Sequence, residues 1–444
     1  MNDIAASIAV AVALSVVLVI AQTRFSLWER PWLWGSLLAH YVAGVAQVLV
    51  VTQVYGGGDM RGYAYRGSLL AQFLLEYPIE GTLRLLQVIY HTADVAVPVD
   101  LRPGATGSMQ AISGFVMLFA GQSIYAACVL LGGLTFFSGV AVYRVFRHEL
   151  DASHHRAAMI GCLWVPSVLF WSSALLKESV AMVGLGLAIY GGHALTTRRR
   201  PLSGLLLTVF GLLLATPVKP YLVVPFGLGA GMWLYLDGPR PAHRRRLHEF
   251  RPGAVLVGAA LAVLFVVGVG ELFPRFDPAG LADETASMQG GVEKTYGGSD
   301  YAIGNPEEHS FSGQLAFAPL AIFTALFRPT LLDVHNALSA ANAIETTTVM
   351  VLLGAALLRS GVSGFLGAVF RSPIFGFCSV YVLGLALGVG LGTTNLGTLS
   401  RYRMPLMPFF VTMIAVLANR QSRVRSSTGL KPPPFAVSRA PDSA

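Results

Sequence analysis

Residues 5–21 read AASIAVAVALSVVLVIA, and residues 373–392 read PIFGFCSVYVLGLALGVGLG, two runs that carry no charged side chain. A helix rises ~1.5 Å per residue, so runs of this kind approach the ~20 residues that cross ~30 Å of hydrocarbon. Nine further stretches are apolar with at most one charged residue each, and the expected spans are 5–21, 33–54, 122–144, 157–174, 179–195, 203–217, 220–236, 253–270, 336–358, 373–392 and 404–419. Composition agrees: the chain is 54% hydrophobic and 12% charged, with mean hydropathy +0.62. Soluble domains carry roughly 25% charged residues because water must wet their surface. The sequence therefore predicts an all-α polytopic transmembrane bundle of about eleven spans, since helices satisfy every backbone group internally in lipid. Two long loops, 55–121 and 271–335, interrupt it. The segments near 68–90, 109–120 and 312–327 read as short amphipathic or re-entrant helices, and 312–327 is also open to reading as a full span.

Lys and Arg set the orientation. Alternate connections carry Arg24 and Arg30; Arg144, Arg147 and Arg156; Arg198 to Arg200; Arg240, Arg244 to Arg246 and Arg251; Arg359 and Arg371; and Arg420, Arg423, Arg425, Lys431 and Arg439. These are 20 of the 31 basic residues. That side is expected to be cytoplasmic, with the N-terminus outside and the C-terminus inside. Asp3 and no Lys or Arg precedes the first run, whereas a cleavable signal has a basic n-region, so this segment is expected to stay in the membrane. Residues 1–419 read as one membrane domain, and 420–444, rich in Ser, Pro and Arg, as a disordered cytoplasmic tail. The net charge of +8 is spread in short clusters between apolar runs, which argues against nucleic acid. Cys128, Cys162 and Cys378 lie in apolar segments without CxxC spacing and read as small core residues.

The other 11 basic residues fall on the outer side, which the positive-inside rule should deplete. Two of the chain's four lysines, Lys177 and Lys219, occupy the two shortest outer hairpins. Arg328 follows in Phe327-Arg328-Pro329, and Arg401 and Arg403 in Ser400-Arg401-Tyr402-Arg403-Met404-Pro405. Each taken singly is open to the reading of a snorkelling helix-end cation. Five on one face suit an anionic ligand such as a phosphate or pyrophosphate. Asp59, in Gly56-Gly57-Gly58-Asp59, follows the second span and so belongs to the same face. Its carboxylate could serve as general base toward a hydroxyl, hold a divalent cation such as Mg or Mn, or simply pair with Arg61 or Arg66. Tyr63 is a sugar-stacking candidate or an interfacial tyrosine, and Glu178 an ion-pair partner of Lys177 or its neighbours. Glu345, near the outer end of its span, is a further candidate for the cavity, and His40 reads as a hydrogen-bonded helix contact. The polar stretch from Asp277 to His309 reads as a mobile cover or a solvated loop.

In order along the chain stand Gly-Asp-x₃-Tyr, Pro-Ser-x₃-Trp-Ser-Ser-x₃-Lys-Glu, Phe-Arg-Pro and Asn-x-Gly-Thr-x₂-Arg-x-Arg-x-Pro-x₂-Pro. Together these motifs resemble bacterial polytopic proteins of exopolysaccharide and envelope loci, grouped with GT-C-type glycosyltransferases and polysaccharide polymerases. The resemblance runs over most of 55–410. It implies transfer of a sugar from a polyprenyl-phosphate or polyprenyl-pyrophosphate carrier to a glycan acceptor, outside a bacterial cytoplasmic (inner) membrane. It also implies that Asp59 acts as base or metal partner and that Lys177, Arg328, Arg401 and Arg403 bind the carrier phosphate. Lys219 joins them by topology alone. Two features depart from the family: Asp59 follows the second span rather than the first, and no acidic pair or Asp-x-Asp stands nearby, so metal dependence stays open. Two other readings compete, a flippase or transporter of lipid-linked sugars and a non-enzymatic subunit of an envelope assembly complex.

Overall fold

The computed structural model describes residues 2–54, 56–197, 201–237, 301, 303 and 311–419. The chain begins with α1 (Asp3–Ala21), α2 (Arg30–Leu49), α3 (Asp59–Glu76), α4 (Pro78–Tyr90), α5 (Ala105–Phe119) and α6 (Ile124–Glu149). It continues with α7 (His155–Leu163), α8 (Pro166–Ser172), α9 (Lys177–Thr196), α10 (Pro201–Ala215) and α11 (Val223–Asp237). After these come α12 (Phe311–Leu315), α13 (Ala318–Phe327), α14 (Ala337–Arg371), α15 (Pro373–Leu391), α16 (Leu396–Tyr402) and α17 (Met407–Asn419). Among the described residues no strand occurs, and seven helical stretches are long and apolar enough to cross a membrane. They match the expected spans at 5–21, 33–54, 122–144, 179–195, 336–358, 373–392 and 404–419.

The remaining expectations divide. The 157–174 span is broken into α7 and α8 at Trp164-Val165, because Pro166 drives the residue before it out of the helical region; Val165 has φ −70 and ψ 119. Helices α10 and α11 show 15 residues each among the described ones, α10 starting at Pro201 and α11 ending at Asp237, where the described residues also start and end. The 312–327 segment splits into α12 and α13, the latter ten residues and about half a bilayer deep. Helix α14 runs on past its expected end to Arg371, bent at Gly361 (φ 66). The 253–270 span, Arg198 to Arg200, the Arg240–Arg251 cluster, the polar residues from Asp277 to Asp300 and from Glu307 to His309, and the 420–444 tail lie outside the described residues.

Helix α6 forms the centre, packed by α1, α2, α7 and α9, with Phe136, Tyr143 and Phe146 fully buried. Helix α1 turns Ile4, Ile8, Val12, Val16 and Ile20 outward. Such a surface is costly in water and at home in lipid. Helices α9 and α10 approach through paired glycines. A Cβ on Gly184 would collide with the Gly211 carbonyl oxygen, and one on Gly191 would lie 2.6 Å from that of Gly204. Small residues let helix backbones meet where lipid supplies no hydrophobic drive. Gly184→Val therefore forces the pair apart and lowers the melting temperature of the detergent-solubilised protein, at a cost of about 1–3 kcal/mol. Gly192→Ala, whose Cβ meets nothing within 4 Å, does not lower it and raises it slightly, since alanine loses less backbone entropy in a helix.

The helix ends sort the charges into two groups. At one end Asp59, Glu178, Lys219 and Arg401 pair with one another. At the other, Glu29, with no exposed surface, takes Tyr143 Oη at 2.5 Å and Arg147 Nε at 3.1 Å, and Arg359 caps α17 through the Ala418 carbonyl at 2.9 Å.

Candidate functional site

Three of the four sequence motifs each build one wall of the first of these ends. Helix α2 loosens into a π turn over Val50–Val54 before the glycines. Gly56 (φ 66) and Gly58 (φ 134) take backbone conformations that a side chain would strain, and Gly58 caps α3 so that Asp59 becomes its first residue. Four residues on, Tyr63 is 2% exposed. Burial, and then the Asp59 carboxylate beside it, push its phenol pKa above the ordinary value.

The Trp-Ser-Ser-x₃-Lys-Glu motif leaves α8 at Ser172 and runs through irregular backbone over residues 173–176 inside the bundle. Ser172, Ser173, Ala174 and Leu175 have no exposed surface. Such a segment persists only if its polar groups find partners. Gln47 Nε2 donates to the Phe170 carbonyl (3.0 Å), Thr135 Oγ1 to that of Ser172 (3.0 Å) and Ser179 Oγ to that of Ala174 (2.5 Å). The segment delivers Lys177 and Glu178 as the first two residues of α9. Asn395 begins the last motif as a helix cap, its Oδ1 accepting from the backbone of Gly397 (2.8 Å) and Thr398 (3.3 Å). That cap starts α16, which carries Arg401 in its last turn.

The three walls and the α10–α11 turn meet in an ion cluster. Glu178 is completely buried, and its Oε1 faces Lys219 Nζ at 2.7 Å and Arg401 Nε at 2.9 Å. Arg401 extends the chain of charge to Asp59, with Nη1 and Nη2 at 3.2 and 3.3 Å from Oδ2. Asp59 is half exposed, so the network runs from a sealed interior to an open edge. Lys219 is 3% exposed and stacks over the rings of Tyr402 (3.6 Å to the centroid) and Tyr221 (5.4 Å). Lys177 reaches Thr106 Oγ1 on α5 at 2.9 Å. Three cations thus face two carboxylates, leaving one positive charge in excess. Among the described residues, Lys177 is the cation of the three without a carboxylate in contact.

Asp59, Tyr63, Lys177, Glu178, Lys219 and Arg401 are therefore brought together, as the motifs and sidedness imply. Arg328 and Arg403 are not among them. Arg328 forms a two-pronged pair with Asp333 (Nη2–Oδ1 2.5 Å, Nε–Oδ2 3.2 Å) and lies over the Tyr301 ring at 5.2 Å. That bonding holds the Asp333 carboxyl down to about 2. Arg403, fully buried, donates through Nη1 to the Arg328 carbonyl. For Arg403 the cause is simple: side chains two positions apart, here Arg401 and Arg403, point to different faces of a helical turn. Glu345 accepts from the backbone N (2.7 Å) and hydroxyl (2.6 Å) of Ser167, sealing the start of α8. Arg61 and Arg66 bond to backbone carbonyls of Gly56 and Asp100 rather than to Asp59. His40 makes its expected helix contact, with the Ser36 carbonyl at 2.8 Å.

Thr106, Tyr221 and Tyr402 belong to the site and escape the sequence reading. Two of them adjoin residues already singled out: Tyr402 follows Arg401, and Tyr221 lies two past Lys219. A cavity of about 340 Å³ opens beside the cluster, with Arg401 in its wall alongside Trp171, His335, Asn336, Asn342 and Asn395. A larger, more open recess of about 770 Å³ beneath the 93–104 loop shares no lining residue with the charges. Against known proteins, the chain matches no family model, no curated protein and no solved structure.

Proposed function

We propose that the chain is a membrane glycosyltransferase that moves a sugar from a polyprenyl-(pyro)phosphate carrier to an acceptor hydroxyl on the extracytoplasmic face of a bacterial inner membrane. What carries the reading is the ion cluster: a half-exposed carboxylate linked through Arg401 to a buried, cation-rich interior. In this mechanism Lys177 and the excess positive charge hold the carrier phosphate and stabilise the charge it gains as the sugar–oxygen bond breaks. Arg401 occupies Oδ2 of Asp59, and Oδ1 takes the proton of the incoming hydroxyl. The acceptor oxygen then bonds to the anomeric carbon, and the phosphate leaves with the bonding electron pair. The cavity beside Arg401, edged by Asn, His and Ser side chains over a tryptophan, suits a sugar ring. The polyprenyl tail enters sideways between apolar helices. Of the three cations only Lys177 has no carboxylate in contact, so the phosphate meets it first, and Oδ1 of Asp59 is open to the acceptor proton or to a divalent cation such as Mg or Mn.

A flippase of lipid-linked sugars is the second reading, favoured by the buried Glu178–Lys219 pair and by the break of the 157–174 segment at Trp164-Val165, because transporters place charged and broken helices in the bilayer core. The test is the purified protein in proteoliposomes with a lipid-linked sugar and a glycan acceptor. Transfer of labelled sugar to the acceptor is the expected result. Movement of the intact carrier across the bilayer without transfer would replace the proposal with a flippase, and neither activity would leave a structural subunit.

A further inference from the structure

At the end of α9 remote from the ion cluster, three side chains converge that no part of the proposed transfer uses. His193 Nε2 lies 3.0 Å from Glu149 Oε1 and 3.2 Å from His148 Nδ1, and His148 Nδ1 lies 3.2 Å from Glu149 Oε1. His148 and Glu149 close α6, and His193 lies in the last turn of α9, fifteen residues and so ~22 Å along the helix from Glu178. The geometry points to a binding site for one divalent transition-metal ion of the zinc class, held by His148, Glu149 and His193 and tying α6 to α9.

The argument is the shape of the triangle. Ligands at ~2.0–2.1 Å around a tetrahedral ion stand roughly 3.3 Å from one another, and all three separations here fall at 3.0–3.2 Å. Hydrogen bonding alone would account for the two histidine–carboxylate contacts. The imidazole pair also makes an edge-on ring contact, centroids 4.8 Å apart, but one proton on each facing nitrogen can fill only two edges of the triangle, and an ion fills all three. Two imidazoles with one carboxylate suit Zn²⁺ and its neighbours in the first transition row rather than Mg²⁺ or Ca²⁺, which prefer oxygen alone. Access is graded: His193 is 9% exposed, while the His148 side chain is 38% exposed, so an ion can enter from the water side. Trp233 packs edge-on against His193, ring centroids 5.9 Å apart, and supplies a reporter within reach of the ion.

Full-length protein without a histidine tag, purified in detergent and stripped of metal, is titrated with Co²⁺ and then Zn²⁺. The expected result is one Co²⁺ per chain with the absorption of a tetrahedral nitrogen–oxygen site, displaced by Zn²⁺, with quenching of tryptophan emission that Trp233→Phe removes. His148→Ala and the isosteric Glu149→Gln each weaken binding by at least about tenfold, the amount that even outer-shell partners of a metal contribute. The metal-free melting temperatures of the two variants report that each is folded. Absence of saturable binding at equimolar metal, or binding that survives both substitutions, overturns the site. The readout is metal occupancy, so it stands or falls independently of sugar transfer.

Discussion

Replacing Asp59 with Asn lowers sugar transfer at least about 10²-fold, within the range that a positioned general base supplies, and leaves the amount of folded, membrane-inserted protein unchanged. The two halves of this expectation have separate causes. Asp59 is half exposed and meets Arg401 at 3.2 Å, at the edge of the cluster. Exposed pairs of this kind contribute only about 0–1 kcal/mol to folding, and an amide can still accept from the guanidinium. Arg401 also keeps its second partner, Glu178, so the wall of the site holds its shape. What the amide cannot do is take a proton from the acceptor. The loss should therefore fall on kcat, with KM for the lipid-linked donor little changed, since the proposed mechanism assigns the carrier phosphate to Lys177 and the excess positive charge rather than to Asp59. Product formation in proteoliposomes, set beside the melting temperature and membrane abundance of the variant, checks all three points. Near-normal transfer by the Asn variant removes Asp59 from the chemistry.

The sequence makes this end of the bundle partly legible, and the limits are physical. Long apolar runs announce spans because bilayer thickness is a hard constraint, and alternate basic connections then assign each polar residue to a side. That sidedness suffices to bring Asp59 into company with Lys177, Lys219 and Arg401, residues up to 342 positions apart. It does not specify partners at ångström scale. Glu178 pairs with Lys219 and Arg401 rather than with its neighbour Lys177, because successive residues on a helix diverge and packing chooses what stands opposite. For the same reason Arg403, two residues past Arg401, turns toward Arg328. Helix breaks are also hard to read inside apolar sequence: residues 157–174 have the hydropathy of a span, yet Pro166 splits them and the following serines settle a buried loop. The cluster of His148, Glu149 and His193 gives no motif at all, since adjacent ligands at one helix end and a third 44 residues later resemble no common metal spacing.

Substitution at Glu178 should produce the largest loss of stability in the molecule. Its carboxylate has no exposed surface, and one oxygen serves both Lys219, itself 3% exposed, and Arg401. Removing one partner of a buried ion pair costs about 3–5 kcal/mol, because the remaining charge is stranded in low dielectric. That is a large share of the ~5–15 kcal/mol by which domains are stable. Glu178→Gln keeps the volume and removes only the charge, so its melting temperature and folded yield in detergent isolate the electrostatic part. The cost falls mainly on Lys219, which is 3% exposed and loses its carboxylate partner, whereas Arg401 keeps Asp59 and part of its side chain reaches the surface. Adding Lys219→Met to Glu178→Gln takes away the most deeply buried orphan and should recover much of the lost stability, though not sugar transfer, because the interior cation that the proposed mechanism sets behind the phosphate is gone with it. A double-mutant cycle over these two positions measures the coupling directly. A Glu178→Gln variant that melts with the wild type would mean that Lys219 and Arg401 are neutralised from elsewhere, and that the buried carboxylate is not what holds the cations of the site in place.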